Sequence, residues 1–296
     1  PLVTEIVDDI YQHIHEPFLF VLEPFHLAER ELVSYFISKF IQQVDDTCRL
    51  VLTSRMRLTL PDLALMVGRS QVGAVRCQQL AFTAAEIQAL VQQNYHQHIS
   101  IDTAAEIGRR TEGWITGLLL SAEADWDGNL ERLRLAQIPG VGLYDYLTQQ
   151  VFSQQPPIIQ EFLLKTSLLE EFDADLCAAV LSPSGQNWAD LIDTVIKDNL
   201  FVLPVGSSET WVRYHHLFQR FLQAYLAAND PAEYARIQRR LADEYISRQA
   251  WDKAHHLYST LHDMVALADL IEKAGVSLVR QGRLTLLAGW IDALPA

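Results

Sequence analysis

Cysteine is scarce: Cys48, Cys77 and Cys177 are odd in number and widely separated. That suits a reducing, cytoplasmic setting better than a disulfide framework, and there is no Cys-x-x-Cys pair. Long apolar runs are missing too; none approaches the ~20 residues that span a bilayer. The opening helix carries Glu5, Asp8 and Asp9, the wrong charges for a signal peptide, and starting at Pro1 with a helix under way implies a fragment. Positive charge is short, 23 basic against 37 acidic residues for a net charge of −14. Such a chain lacks the concentrated basic face that phosphate backbones require, so it is a poor nucleic-acid binder by itself. There is no Gly-x-Ser-x-Gly and no His-Glu-x-x-His, which leaves nucleophilic and zinc-protease chemistry without a candidate. No phosphate-binding loop is present either. The nearest stretch, Gly68 to Gly73, has glycine spacing but no following Lys and Ser/Thr to meet phosphate and Mg²⁺.

What is there is a core. Apolar residues make up 49% and aromatics 9% of 296 residues, enough for two or more domains. The stretch Phe18 to Leu27, FLFVLEPFHL, opens as an unbroken apolar run closed by Glu23-Pro24. That reads as a strand buried on both faces of a parallel sheet. Leu50 to Leu52 repeats the pattern and ends in Thr53-Ser54-Arg55, while Ala28 to Gln43 between them has Leu32, Phe36, Phe40 and Ile41 on one helical face. Strand, helix, strand is a βαβ crossover, and ligands of open α/β sheets sit beyond the carboxyl ends of such strands. Glu23 and His26 stand there.

The rest reads as helical. Residues 1–16 form a helix on Leu2, Ile6, Ile10 and Ile14; residues 58–74 read as loop, and 75–82 as one more short strand. Thr83 with Glu86 is a capping box for a helix to about Gln93. Helices follow from Asp102 to a break at Gly113 and from Trp114 through Leu120. A further helix, Leu143 to Phe152, is stopped by Pro156-Pro157. Ile158 to Ser167, Asp173 to Leu181 and Trp188 to Asp198 precede two strands, Leu200 to Pro204 and Thr210 to Tyr214, around Gly206-Ser207-Ser208. Three helices and a hairpin fit a winged helix, or another small α+β domain. From Leu217 onward the helices 217–227, 231–248, 251–261, 264–274 and 284–294 alternate with short breaks, as an α-solenoid opens.

The histidine pairs His13/His15, His96/His98, His215/His216 and His255/His256 are the remaining ligand-like feature. Residues two apart on a helix face different ways, so no metal is assigned to them; a metal-dependent hydrolase is the least favoured reading. Arg236, Arg239, Arg240 and Arg248 read as a solvated helix face. Trp251, Tyr258 and Trp290 read as core between repeats.

In order and spacing these segments resemble the large ATP-binding transcriptional regulators of the LuxR/MalT type, within the STAND class of signal-transduction ATPases. FLFVLEPFHL is similar to that family's Walker B strand, although Pro24 stands where a second acid is usual. LVLTSR is similar to its sensor-1 strand, with Arg55 near the γ-phosphate. QQLAFTAAEIQAL (78–90) and TEGWITGLLLSA (111–122) resemble the helical subdomain and its Gly113-Trp114 turn, with Ile115 replacing a proline. NLFVLP with WVRYHHLFQRFL resembles the winged-helix end, where His215 matches a histidine that contacts the ADP β-phosphate. DEYISRQAWDKAHHLY through GWIDALP resembles the first helical pairs of a TPR-like sensor solenoid.

The resemblance implies a mostly α fold with a partial α/β segment. Its parts would be a truncated P-loop NTPase core (1–82), a helical subdomain (83–140), a winged helix (141–228) and the start of a solenoid (229–296). It implies a switch biased by ATP and ADP with Mg²⁺, with Glu23 as a degenerate catalytic acid and Arg55, Gly113, Trp114 and His215 as nucleotide-binding residues. Pro24 and the missing loop make at most a weak ATPase. Self-association in the active state, an inducer or partner protein on the repeats, DNA contact only through a domain outside this chain, and no membrane are the implied partners. A nucleotide-independent scaffold is the alternative.

Overall fold

A computed structural model describes residues 2–28, 30–55, 58–120, 142–181, 187–206 and 210–294. The chain divides into two units, residues 1–80 with 195–200, and residues 81–194 with 201–296. It is mostly helical with a small α/β part.

In the first unit, α1 (Leu2–His13) leads into β1 (Phe18–Leu22), α2 (Glu31–Gln43) and β2 (Cys48–Leu52). The two strands pair in parallel, Phe18 opposite Cys48 through Leu22 opposite Leu52, so the expected crossover is present. Val7, Phe40 and Cys48 close the core beneath it, with Phe18, Phe36 and Leu50 packed around them. One expectation fails here. β1 is not buried on both faces: Leu19, Phe20 and Val21 are 59%, 40% and 46% exposed, because a sheet of two strands has too few neighbours to cover them. Residues 58–74 are not all loop, since the apolar run after Asp62 folds as α3 (Leu63–Gly68) around the buried Met66. Nor do residues 75–82 form a strand. They have no period-two pattern, and the Arg76 N–H is capped by the Gln79 side chain at 2.9 Å as α4 (Cys77–Leu80) begins.

The second unit begins with α5 (Ala84–Tyr95), whose Thr83–Glu86 capping box forms as expected. Next come α6 (Ile101–Thr111), capped by Ser100, and α7 (Ile115–Leu120). Ile87, Val91, Ala104, Ile107 and Leu118 make their shared core. The expected end of this subdomain at 140, Ser121-Ala122 of the Gly-Trp segment, Ser207-Ser208 of the hairpin turn and Pro295 lie outside the described residues. The expected helix 143–152 is split: α8 (Leu143–Leu147) runs into a π-helical turn over Thr148–Phe152. At the junction the Tyr144 carbonyl accepts both the Thr148 N–H and, at 2.7 Å, the Thr148 hydroxyl.

The winged helix follows with α9 (Pro157–Thr166), α10 (Ala174–Leu181), α11 (Trp188–Lys197), and the antiparallel β3 (Val202–Pro204) and β4 (Val212–Tyr214). Phe172 bridges to Val212 and adds a third line to the wing. α12 (His216–Asn229) packs its aromatic face here, with Phe172, Tyr214, Phe218 and Phe221 buried in tilted, edge-on and stacked contacts of 5.2–6.1 Å. Thr166 gives its one hydroxyl hydrogen to the Phe162 carbonyl, so the Tyr214 hydroxyl donates to Thr166 Oγ1 at 2.6 Å. Burial in the same core pushes the Cys177 thiol up to about 12, leaving it an inert hydrophobe.

Four antiparallel helices end the chain: α13 (Pro231–Ser247), α14 (Trp251–Thr260), α15 (Met264–Arg280) and α16 (Leu284–Asp292). α15 runs beyond the expected Ala274 because Leu278 stays fully buried one turn later. Trp251, Tyr258 and Trp290 are core residues between these helices, as read from their spacing. The arginine face of α13 is paired, Arg236 with Glu233, Arg239 with Asp263 and Arg248 with Glu244. No helix among the described residues is long and apolar enough to cross a membrane.

Candidate functional site

Glu23 and Arg55 stand just past the carboxyl ends of the parallel strands, and both are exposed. Parallel pairing brings them to one edge of the sheet. The loops there are tied together: the Phe25 N–H donates to the Thr53 carbonyl at 2.8 Å, and the Arg55 N–H to His26 Nδ1 at 3.3 Å. His26, singled out by position, is thus a loop brace.

In the second unit, Gly113, Trp114 and His215 come together. α6 ends with Glu112 in the left-handed region at φ +48° and Gly113 at φ +71°. Two consecutive left-handed residues turn the chain back, and the second has no room for a side chain. A Cβ on Gly113 would lie 2.8 Å from the Ala81 Cβ and from the Phe82 nitrogen. That closeness is used, since the Phe82 N–H donates to the Gly113 carbonyl at 2.9 Å. The turn launches Trp114 across α7, where Gly117 makes space: a Cβ there would meet the Trp114 ring at 2.6 Å and Leu217 Cδ1 at 2.7 Å. Trp114 then lies edge-on to Phe201, 5.0 Å between centroids, and to His215 at 5.6 Å.

His215 is the N-cap of α12 and is 8% exposed. Its Nδ1 accepts from the Leu217 N–H at 3.3 Å, so the neutral ring carries its hydrogen on Nε2. That N–H points at the Thr111 carbonyl, 3.1 Å away. The same carbonyl already accepts from the Trp114 N–H at 2.9 Å, so both its lone pairs are taken. Burial is the main cause that holds the imidazole below its ordinary value of 6.5, against the pull of Glu112. Both ring nitrogens are therefore committed within the protein.

Beside it lies a pair that local pattern reading does not reveal. Arg213 forks onto Glu112 with two hydrogen bonds of 3.0 Å, and the His216 N–H donates to Glu112 Oε1 at 2.9 Å. Burial raises the Glu112 carboxyl, yet these bonds outweigh it and hold it below its ordinary 4.5. The only sequence signal was adjacency: Thr111-Glu112 precede the Gly-Trp turn, and Arg213 precedes His215 in the strand. Together the contacts make a latch between the helical subdomain and the winged helix. Among the described residues no group of three or more His, Cys, Asp and Glu converges as metal ligands. His255 instead stacks flat on Trp290, 4.2 Å between ring centroids.

Residues 148–234 match the family described as the MalT winged helix domain. The chain is 25% identical, over 99% of its length, to the HTH-type transcriptional regulator MalT of Vibrio campbellii, and covers 32% of that protein. It is 27% identical over 99% of its length to the protein of that name from Vibrio cholerae, covering 32% of it. With the Vibrio parahaemolyticus protein the identity is 24% over 95% of the chain and 31% of the relative. The chain thus spans about a third of the length of the curated relatives it matches. The chain is thus similar to the MalT winged helix domain over residues 148–234 and to MalT regulators along nearly its whole length.

Proposed function

We propose that this chain is the switch section of a cytoplasmic, MalT-type transcriptional regulator of the STAND class, in which ADP or ATP biases a closed form against a self-assembling one. The observation that carries the reading is the latch. His215 and Arg213 of the winged helix hold Thr111 and Glu112 at the end of α6, so whatever displaces one contact loosens the joint. Such a joint is a two-state element, and a ligand shifts it only by its difference in affinity for the two states.

Two groups of residues fit a nucleotide. Glu23 and Arg55, exposed at the ligand-binding edge of the parallel pair, offer an acid for Mg²⁺ and a cation for the terminal phosphate. Gly113 and Trp114 set the turn beside His215, whose Nε2–H becomes a phosphate donor once it leaves the Thr111 carbonyl. When bound, the nucleotide supplies the differential free energy of the switch. Pro24 offers neither a second carboxylate nor an N–H, so sensing is favoured over hydrolysis. An inducer or partner protein would act on the helical repeats, and DNA contact would lie outside this chain.

The competing reading, a nucleotide-independent scaffold, is favoured by one observation: both His215 nitrogens already have protein partners. Nucleotide release from the natively purified full-length protein, analysed by chromatography, decides between them. About one ADP per chain supports the switch. No retained nucleotide, with melting unmoved by ADP or ATP, leaves the scaffold.

A further inference from the structure

A groove of about 560 Å³ lies between the α13–α14 turn and the C-terminal half of α15. Its volume is in the range of small-molecule sites. Consecutive helices here run antiparallel, and Arg283, just past α15, forks onto Asp252 in the first turn of α14 at 2.9 and 3.0 Å. That clip brings the end of α15 beside the turn, where Gln249 stands at φ +56°.

The lining is one-sided in its chemistry. Lys273 and Arg280 supply two cations, Ser277, Gln249 and Gln281 supply neutral donors, and no carboxylate among the described residues lines the groove. Gln281 Nε2 donates to Ser277 Oγ at 3.2 Å, which leaves the Ser277 hydroxyl hydrogen free to be given away. Trp251 forms part of the wall. It is 9% exposed, and its indole N–H has no hydrogen-bond partner among the described residues. That nitrogen is itself shut off from solvent, so Trp251 contributes apolar wall to the groove and not a donor.

The contrast with neighbouring cations is the stronger argument. Arg236, Arg239, Arg248, Lys253 and Arg283 on these helices are each matched to a carboxylate. Lys273 and Arg280 have no salt bridge among the described residues, in a chain with 37 acids and 23 bases. Seven positions apart on α15, they are two turns apart on one face, about 10 Å along the axis, with long side chains that reach toward a shared ligand.

We propose that this groove binds a small metabolite carrying phosphate or carboxylate groups, held by Lys273 and Arg280 with Ser277 and Gln249 as neutral donors. The site ties the α13–α14 turn to α15, and it does not depend on the nucleotide reading, since none of its residues is among the nucleotide candidates.

The test is calorimetric titration of the full chain with inorganic pyrophosphate and with citrate, against sodium chloride at matched ionic strength. Saturable one-site binding with a Kd at or below about 1 mM is expected for at least one probe. Pyrophosphate alone would assign phosphorylated metabolites, citrate alone carboxylates, and both the shared class. The K273Q/R280Q variant should weaken binding about tenfold or more, the scale of a lost charge-assisted contact, while R248Q leaves it unchanged. Circular dichroism checks that each variant is folded. Binding of neither probe overturns the proposal, as does binding that a folded K273Q/R280Q retains in full; the latter would assign the anion elsewhere, the nucleotide residues included.

Discussion

Arg213 and Glu112, 101 positions apart in sequence, meet through two parallel hydrogen bonds of 3.0 Å. The carboxylate also takes the His216 N–H, so it joins the end of α6 to the start of α12. Their side chains are 38% and 22% exposed, which places the pair between a screened surface bridge and a desolvated one. Arg213→Ala should therefore lower unfolding free energy by about 1–2 kcal/mol in urea titrations. Arg213→Lys should recover less than half of that, because an ammonium does not reproduce the fork. A double-mutant cycle with Glu112→Gln should show a coupling above about 0.5 kcal/mol; strict additivity would mean the two side chains are not energetically joined.

The same joint predicts a pH dependence with a definite sign. Burial holds His215 below 6.5 in the fold, so between that value and the lower folded pKa the unfolded chain binds more protons. Stability should be full above pH 6.5 and fall as pH drops from there toward 5. Glu112 acts lower: its carboxyl is held below 4.5, so its contribution is present above 4.5 and lost below. His216 and His255 are also held low, chiefly by burial, and add slope of the same sign as His215. His215→Gln keeps a donor for the Thr111 carbonyl but does not titrate. Its melting temperature should fall less than that of the parent between pH 6.5 and 5, and equal falls would remove His215 from the account.

Much of this architecture was legible because its signals are local. The Thr83–Glu86 box, Pro157 at a helix start and the apolar stripe of α12 each act within a few residues. The three helices and hairpin of the winged helix were readable for the same reason. What was hidden depends on neighbours far away in sequence. The apolar run of β1 looked buried, but run composition does not report how many strands lie alongside. The segment at Cys77 was misread because a single side-chain cap from Gln79 was enough to start a helical turn. In the site, Gly113, Trp114 and His215 were named from a resemblance, whereas Glu112 and Arg213 needed coordinates: a pairing between a helix end and a strand leaves no periodic trace. Arg55 and Glu23 share an edge only because the strands run parallel.

Gly113 and Gly282 give a controlled comparison. Both have positive φ, +71° and +74°, but a Cβ on Gly113 meets backbone at 2.8 Å while Gly282 has open space. Gly282→Ala should cost about 1 kcal/mol, the left-handed penalty alone. Gly113→Ala adds the clash with Phe82 and should cost about 2–4 kcal/mol. Equal losses in chemical unfolding would show that the Ala81–Phe82 segment yields freely, and that this turn does not fix the direction of Trp114.

The last prediction concerns output. In the proposed switch, the closed form depends on the His215 Nε2–H, whether that hydrogen lies on the Thr111 carbonyl or on a phosphate. His215→Ala removes both and also the cap on the Leu217 N–H, so it weakens the closed form in either case. In the full-length protein it should raise basal activity of a reporter without inducer. His215→Gln, which still offers a donor, should raise it less. Protein level must be matched by immunoblot, since loss of the cap alone costs about 1 kcal/mol and lowers abundance. Basal output that stays flat or drops in His215→Ala at equal protein level would mean that the contact supports the active form, and that the latch is structural.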